Sequence, residues 1–467
     1  MMKPFVSVVL VVAGLLSGLF WEEGQALKQK CLSYSQVPVD LALDNAINRP
    51  LGHREFTSRA QAVADTIAWK TFMAIHWPSD QEGNPDLSAC FGDKSARFVW
   101  ERWQDIDRVF EGSEVQMELT KKRSAYLKSA LSPSSHQAIF ALTDTENKEM
   151  KAYDEVDRSW PVVDQNGNKT YFKTYYNRVM TDYISAAHLH NMEGVRAFVE
   201  TFPYVNKQVE LKVNDRTVPL NRIYFPMYIA GVTREKKLGT RPESTLKLTP
   251  GAGSIMIKTA WKILTPSDDA SRYLVREAIV KENDTLVKVG LVAMHIVLKY
   301  AELPQGIWST FEHTDNVPDI VNNKVVVDPH KKYNYYHASY GDQVNESPDT
   351  AGKSRLARLR PMSAAVKELN RWMHAEMRAM TGDSFWQNYN LIGSQWSQSP
   401  RLYPSDVHYT GSPEPASLAN AVIENYRQRS SCIGCHAGAS LQVPAGGNRP
   451  ATSHSTDKVM GMTRLNR

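Results

Sequence analysis

"TLVKVGLVAMHIVLKYAE" (residues 285–302) decides how the chain is read. Beyond Gly290, Leu291, Val292, Ala293, Met294, Ile296, Val297 and Leu298 leave His295 as almost the only polar position. A run that is apolar on both faces is what a central strand requires, because each face meets core. "QGIWSTFEHTDNVPD" (305–319) follows as a second aromatic run. Upstream, "SIMIKTAWKIL" (254–264) alternates with period two and places Ile255, Ile257, Thr259, Trp261 and Ile263 on one face. "NRIYFPMYIAGVT" (221–233) also reads as strand. Asn166-Gly167 in "VVDQNGNKTYF" (162–172) reads as a hairpin turn.

Helices flank this strand-rich middle. In "TSRAQAVADTIAWKTFMAIHWP" (57–78), Ala60, Val63, Ala64, Ile67, Thr71, Ala74 and Ile75 form one stripe, and Pro78 ends the pattern. Trp69, Phe72 and Trp77 make the other face apolar, so the helix is expected to be buried. "SARFVWERWQDI" (95–106) adds aromatic core, and a polar-rich helix is expected near 174–200. In "SAAVKELNRWMHAEMRAMTGD" (363–383), Val366, Leu369, Met373, Met377 and Met380 line up, with Gly382 as the stop. A further helix is expected in "SPEPASLANAVIENYRQRSS" (412–431), with Ser412 as cap and Pro413 at its first position. Residues 315–360 read as loop. The expected class is α+β: a β core flanked by helices, with a C-terminal helix and tail.

The 467 residues are 42% hydrophobic and include 11 Trp, 20 Tyr and 14 Phe, enough for a large aromatic core. A net charge of +5 without a dense Lys/Arg tract gives no sign of a nucleic-acid partner. The most basic stretch, "KSRLARLR" (353–360), reads as a solvated helix face or linker, or else as a docking patch for an acidic partner. Residues 1–26 have one early charge, Lys3, then a short apolar run and a small-residue site at Gly24 and Ala26. This is the pattern of a cleaved export signal. The expected division is signal 1–26, body 27–410 and a C-terminal segment 411–467, with a periplasmic location and no membrane span after cleavage. An uncleaved anchor is the other reading of 1–26. In an oxidising compartment, Cys31 and Cys90 are expected to form a disulfide.

The remaining cysteines stand in "CIGCH" (432–436). Three chemistries use such a pair. A dithiol redox site needs it at the start of a helix, whereas the helix expected upstream would put it at an end. A structural zinc needs four ligands, and no second Cys-x-x-Cys is present. The third is one covalent haem c, with Cys432 and Cys435 holding the porphyrin and His436 as the proximal iron ligand. Export agrees with this third reading, since such haem is attached outside the cytoplasmic membrane. The far side of the iron is then expected to be open or to take Met460 or Met462, with His454 a weaker candidate.

Taken together, "GLVAMHIVLKYAELPQGIWSTFEHTDNVPD", "SIMIKTAWKIL" and the late "CIGCH" resemble a group of bacterial exported proteins known only as cytochrome c family proteins. The resemblance spans most of the mature chain. It implies a periplasmic haem c protein with a large companion domain, and it assigns no catalytic residue. Two functional readings follow. One is a mono-haem electron-transfer cytochrome whose body docks a redox partner protein. The other is a haem c-dependent oxidoreductase with an open distal iron site and a small-molecule substrate pocket. His295, Trp308, Glu312 and His313 are expected either to reach the haem cleft or to be hydrogen-bonded core residues. His188 and His190 form a weaker candidate metal pair.

Overall fold

The computed structural model describes residues 53–86, 88–110, 140–142, 161–201, 210–213, 216–219, 223, 225–228, 234–237, 245–248, 253–280, 283–300, 303, 305–382, 385–398, 412–443, 452–455 and 462. Residues 1–26 and Cys31 lie outside this set.

A nine-stranded sheet organises the described residues. Its strands are β1 (Gln104–Asp105), β2 (Phe140–Leu142), β3 (Thr170–Tyr176), β4 (Ile255–Ile263), β5 (Val275–Val280), β6 (Thr285–Leu298), β7 (Ile307–His313), β8 (Tyr389–Ser397) and β9 (Pro413–Glu414). The order is β1-β3-β4-β6-β7-β8-β9. The first half of β6 also pairs with β5, which carries β2 in parallel; every other pairing is antiparallel. The expected central strand is therefore β6, fourteen residues long. Its register shifts between Leu291 and Ala293. Such a bulge reverses the in–out alternation, so the apolar set continues on both faces. The Val292 carbonyl, freed by the irregularity, accepts from Asn316 Nδ2 at 2.7 Å.

One face of the sheet lies under two helices, α1 (His53–Ile75) and α5 (Ala364–Thr381). Between them in chain order come α2 (Ile106–Phe110), α3 (Arg178–Ala186) and α4 (Met192–Thr201). Trp69, Phe72, Ile257, Trp261, Met294, Ile296, Phe311, Met373 and Leu391 form the main core on that face. Ser363 caps α5 through Val366 N–H, and Gly382 ends it at φ +68°, a conformation that favours glycine. The Asn166-Gly167 hairpin is present: Asp164 and Asn168 pair, and Gly167 has φ +86°. The segment expected as one helix near 174–200 is β3 followed by α3 and α4. Positions 223 and 225–228 carry no strand beyond a single bridge, Tyr228 to Tyr300.

The loop-rich reading of 315–360 holds, but one charge of the basic run within it turns inward. Arg358 is buried and pairs with Glu312 at 2.7 Å and Asp319 at 2.5 Å. Lys353 reaches the Gln165 carbonyl, and Arg355 reaches Ser347. These bonds tie the loop to its surroundings, so "KSRLARLR" is a partly buried linker rather than a helix face.

Candidate functional site

The opposite face of the sheet carries the C-terminal segment. Here the expected helix over 412–431 is replaced: Pro413–Glu414 is strand β9, and Ala421–Tyr426 is a run of turns. Polar side chains on the strands compete for this backbone and win. Asn420 Nδ2 donates to Thr310 Oγ1 (2.8 Å) and to the Phe311 carbonyl, and the Ala421 amide donates to Glu312 Oε1 at 2.7 Å. His295 Nε2 meets Glu424 Oε1 at 2.9 Å. Gly393 on β8 gives Leu418 room to approach; an added Cβ would stand 3.3 Å from its Cδ1.

The Cys-x-x-Cys-His motif then forms its own short helix, α6 (Cys432–Ala437). Ser431 caps it, its Oγ accepting from the Gly434 amide at 3.0 Å. The motif thus begins a helix, and the sequence-based argument that set aside a redox dithiol, its place at a helix end, does not hold. A different observation opposes that reading. Burial pushes the Cys432 thiol well above its ordinary value, with Glu424 and Cys435 adding to the effect. Desolvation and Glu424 also raise Cys435. A catalytic dithiol needs the reverse, a thiol lowered into the thiolate range.

Cys432, Cys435 and His436 are three and four residues apart on α6, so they share one helical side. Ile433 is buried against Val297 and Trp308, with Met256 and Cys432 packed alongside. Cys435 is exposed, while Cys432 and His436 are half-buried. The His436 ring lies 4.6 Å from the Trp308 ring, centre to centre, at 57°. Among the described residues, no three His, Cys, Asp or Glu side chains group as a metal ion would need. Cys435 offers a free, exposed thiol beside the half-buried Cys432 and His436; a porphyrin is a group that takes two such thiols and an imidazole at separate points.

The other expected site residues fall in different places. His295 and Glu424 form a bonded pair beside the motif; burial alone would raise Glu424, but His295 and the Asn420 amide hold it below the usual carboxylate range. Glu312 is fully buried between Arg358 and the Ala421 amide. His313 is also buried: it stacks on Tyr273 at 4.1 Å, meets the Arg272 carbonyl, and is pushed down to about 4 by burial. It stands five residues along β7 from Trp308, about 17 Å at strand spacing. Alternation also turns it to the helix-covered face. The expectation that it reaches the haem cleft is corrected to a core role.

Met462 is fully buried in a second core with Met180, Ile184 and Leu441. His454 lies on strand β11 (Thr452–Ser455), its backbone paired with Leu441 of β10 (Ser440–Val443). Met460 lies outside the described residues. His188 and His190 sit in a turn with rings 6.5 Å apart. Cys90 is not among the free thiols, but Cys31 lies outside the described residues, so their bridge stays a proposal.

Gln395 and Glu424 carry much of this arrangement and were not singled out from sequence. An isolated Gln in a strand-like run, or a Glu in an apparently amphipathic helix, has no local signal of its role. Comparison with protein-family models, curated proteins and solved structures gives no match for this chain. Among the described residues, no helix is long and apolar enough to cross a membrane.

Proposed function

We propose that the protein is a periplasmic mono-haem c-type cytochrome acting in electron transfer. The observation that carries this reading is the Cys-x-x-Cys-His motif on one short helix, with Cys432, Cys435 and His436 within about one turn of each other and Ile433 and Cys432 packed against the sheet. Cys432 and Cys435 would hold the porphyrin covalently, and His436 would bind its iron through the imidazole. The bound haem would supply a one-electron iron centre. The chain's own residues orient that imidazole through Trp308 and exclude water beneath the motif through Ile433 and Val297. The export pattern of residues 1–26 is consistent with the same reading, since such haem is attached outside the cytoplasmic membrane.

Denaturing electrophoresis followed by haem peroxidase staining tests this directly. The chain, made with a working haem-attachment system, should keep its stain, and replacing Cys432 and Cys435 together with Ala should abolish it. A parent chain without stain sinks the reading. Carbon monoxide added to the reduced protein then addresses the sixth position. Resistance to the gas supports a carrier with both axial sites filled, while rapid binding favours the oxidoreductase with an open iron.

A further inference from the structure

We propose that Trp308 and Gln395 are positioning residues that set the Cys432–His436 turn, and the His436 ring within it, before any group is attached. The inference rests on the proposed haem role of that turn, but its geometry is a property of the chain alone.

A helix of six residues makes too few internal bonds to persist by itself, since nucleation costs more than one turn returns. The conformation of α6 must therefore be imposed from outside. Gln395 does so from β8. It is fully buried, its Oε1 accepts from the Ile433 amide at 2.9 Å and from Ser431 Oγ at 3.0 Å, and its Nε2 donates to the Pro415 carbonyl at 2.6 Å. One amide thus joins the first turn of α6 to the strand that enters the segment. Trp308 is directly opposite Gln395 in the β7–β8 register. Its Nε1 donates to the Gln305 carbonyl at 2.9 Å, which fixes the indole, and its ring meets the His436 imidazole. The two neighbours therefore divide the work. Gln395 holds the backbone that presents both thiols, and Trp308 holds the imidazole. Buried, fully bonded polar side chains are costly to disturb, so this frame is rigid where an axial ligand needs it to be.

The test uses the full chain produced without a haem-attachment system, so that its readouts need no haem. In the parent, the His436 ring protons should show ring-current shifts from Trp308 by NMR. Trp308→Leu should move them to the positions of a free imidazole, and Trp308→Phe should retain part of the shift. Hydrogen exchange at Ile433 should accelerate at least about 10-fold in Gln395→Met, which keeps the length and loses the acceptor, while Ile296 on β6 stays protected. In the parent, the Ile433 amide should itself exchange slowly, as a buried bonded amide does. Unshifted His436 protons in the parent overturn the Trp308 assignment without any variant having to fold. Ile433 exchange within twofold of the parent in a folded Gln395→Met overturns the Gln395 assignment. If Gln395→Met does not fold, the parent decides, and an Ile433 amide there that exchanges as fast as an exposed loop amide overturns the assignment as well. A parent chain that never stains for haem sinks the proposed function and leaves these outcomes standing.

Discussion

Replacing Glu312 with Ala is expected to destabilise the protein by at least about 3 kcal/mol, far more than replacing its neighbour Asp319. Glu312 is fully buried; one oxygen faces Arg358 at 2.7 Å and the other takes the Ala421 amide at 2.7 Å. Removing one partner of a buried ion pair typically costs about 3–5 kcal/mol, because the other charge is left in a low-dielectric site. The orphaned Ala421 amide adds about 1–3 kcal/mol. Asp319, still 2.5 Å from the other guanidinium nitrogen and 24% exposed, offsets part of the loss. The lower end of the combined range is therefore the expectation. Asp319→Asn leaves Arg358 its buried partner and should cost about 1 kcal/mol or less, as for partly exposed pairs. Urea unfolding followed by tryptophan fluorescence measures both. Adding Arg358→Met to Glu312→Ala should recover stability, since replacing both charges removes the uncompensated one. A Glu312→Ala cost below about 1 kcal/mol, or a double variant whose costs simply add, would refute the argument that the charge pair clamps the 421–424 turn to the sheet.

Two buried titratable groups give opposite pH slopes. Burial raises the Asp65 carboxyl to about 6 against the restraint of Gln61 and Ser394, so its contribution is complete below its unfolded value and lost as pH rises through 6. Asp65→Asn should flatten this part of the stability curve between about pH 4 and 6, and raise stability at neutral pH by at most about 2–3 kcal/mol; an unchanged slope would count against the assignment. His313 is lowered to about 4, so its contribution is present above the ordinary histidine value near 6.5 and is lost as pH falls toward 4. In His313→Gln that acid-side loss should shrink while the haem spectrum stays as in the parent, and an altered spectrum would restore it as a site residue. Met462→Ala should cost about 2–5 kcal/mol by emptying a packed position; if stability is instead unchanged and the near-infrared sulfur-to-iron band of the oxidised protein disappears, the residue is an iron ligand rather than core.

Period and spacing carried much of this protein. The double-sided apolar run of 291–298, the alternation of 255–263, the stripe of α5 with its Gly382 stop and the 432–436 motif are local patterns, each set by backbone geometry within a few residues. Residues 412–431 also hold a helical pattern, and there tertiary contacts decided otherwise. Thr310, Glu312 and Gln395 sit on strands far away in sequence, and their bonds to residues 415–433 outweigh the weak preference of a short helix. Arg358 belongs to the same class: a basic run looks solvated until a buried Glu312 takes one of its charges. The motif itself was visible because it occupies only five consecutive residues. Its direction was not, because Trp308, Gln395 and the His295–Glu424 pair meet it only when the segment is laid across the sheet, and one-dimensional spacing holds no record of which strand face a distant segment will cover.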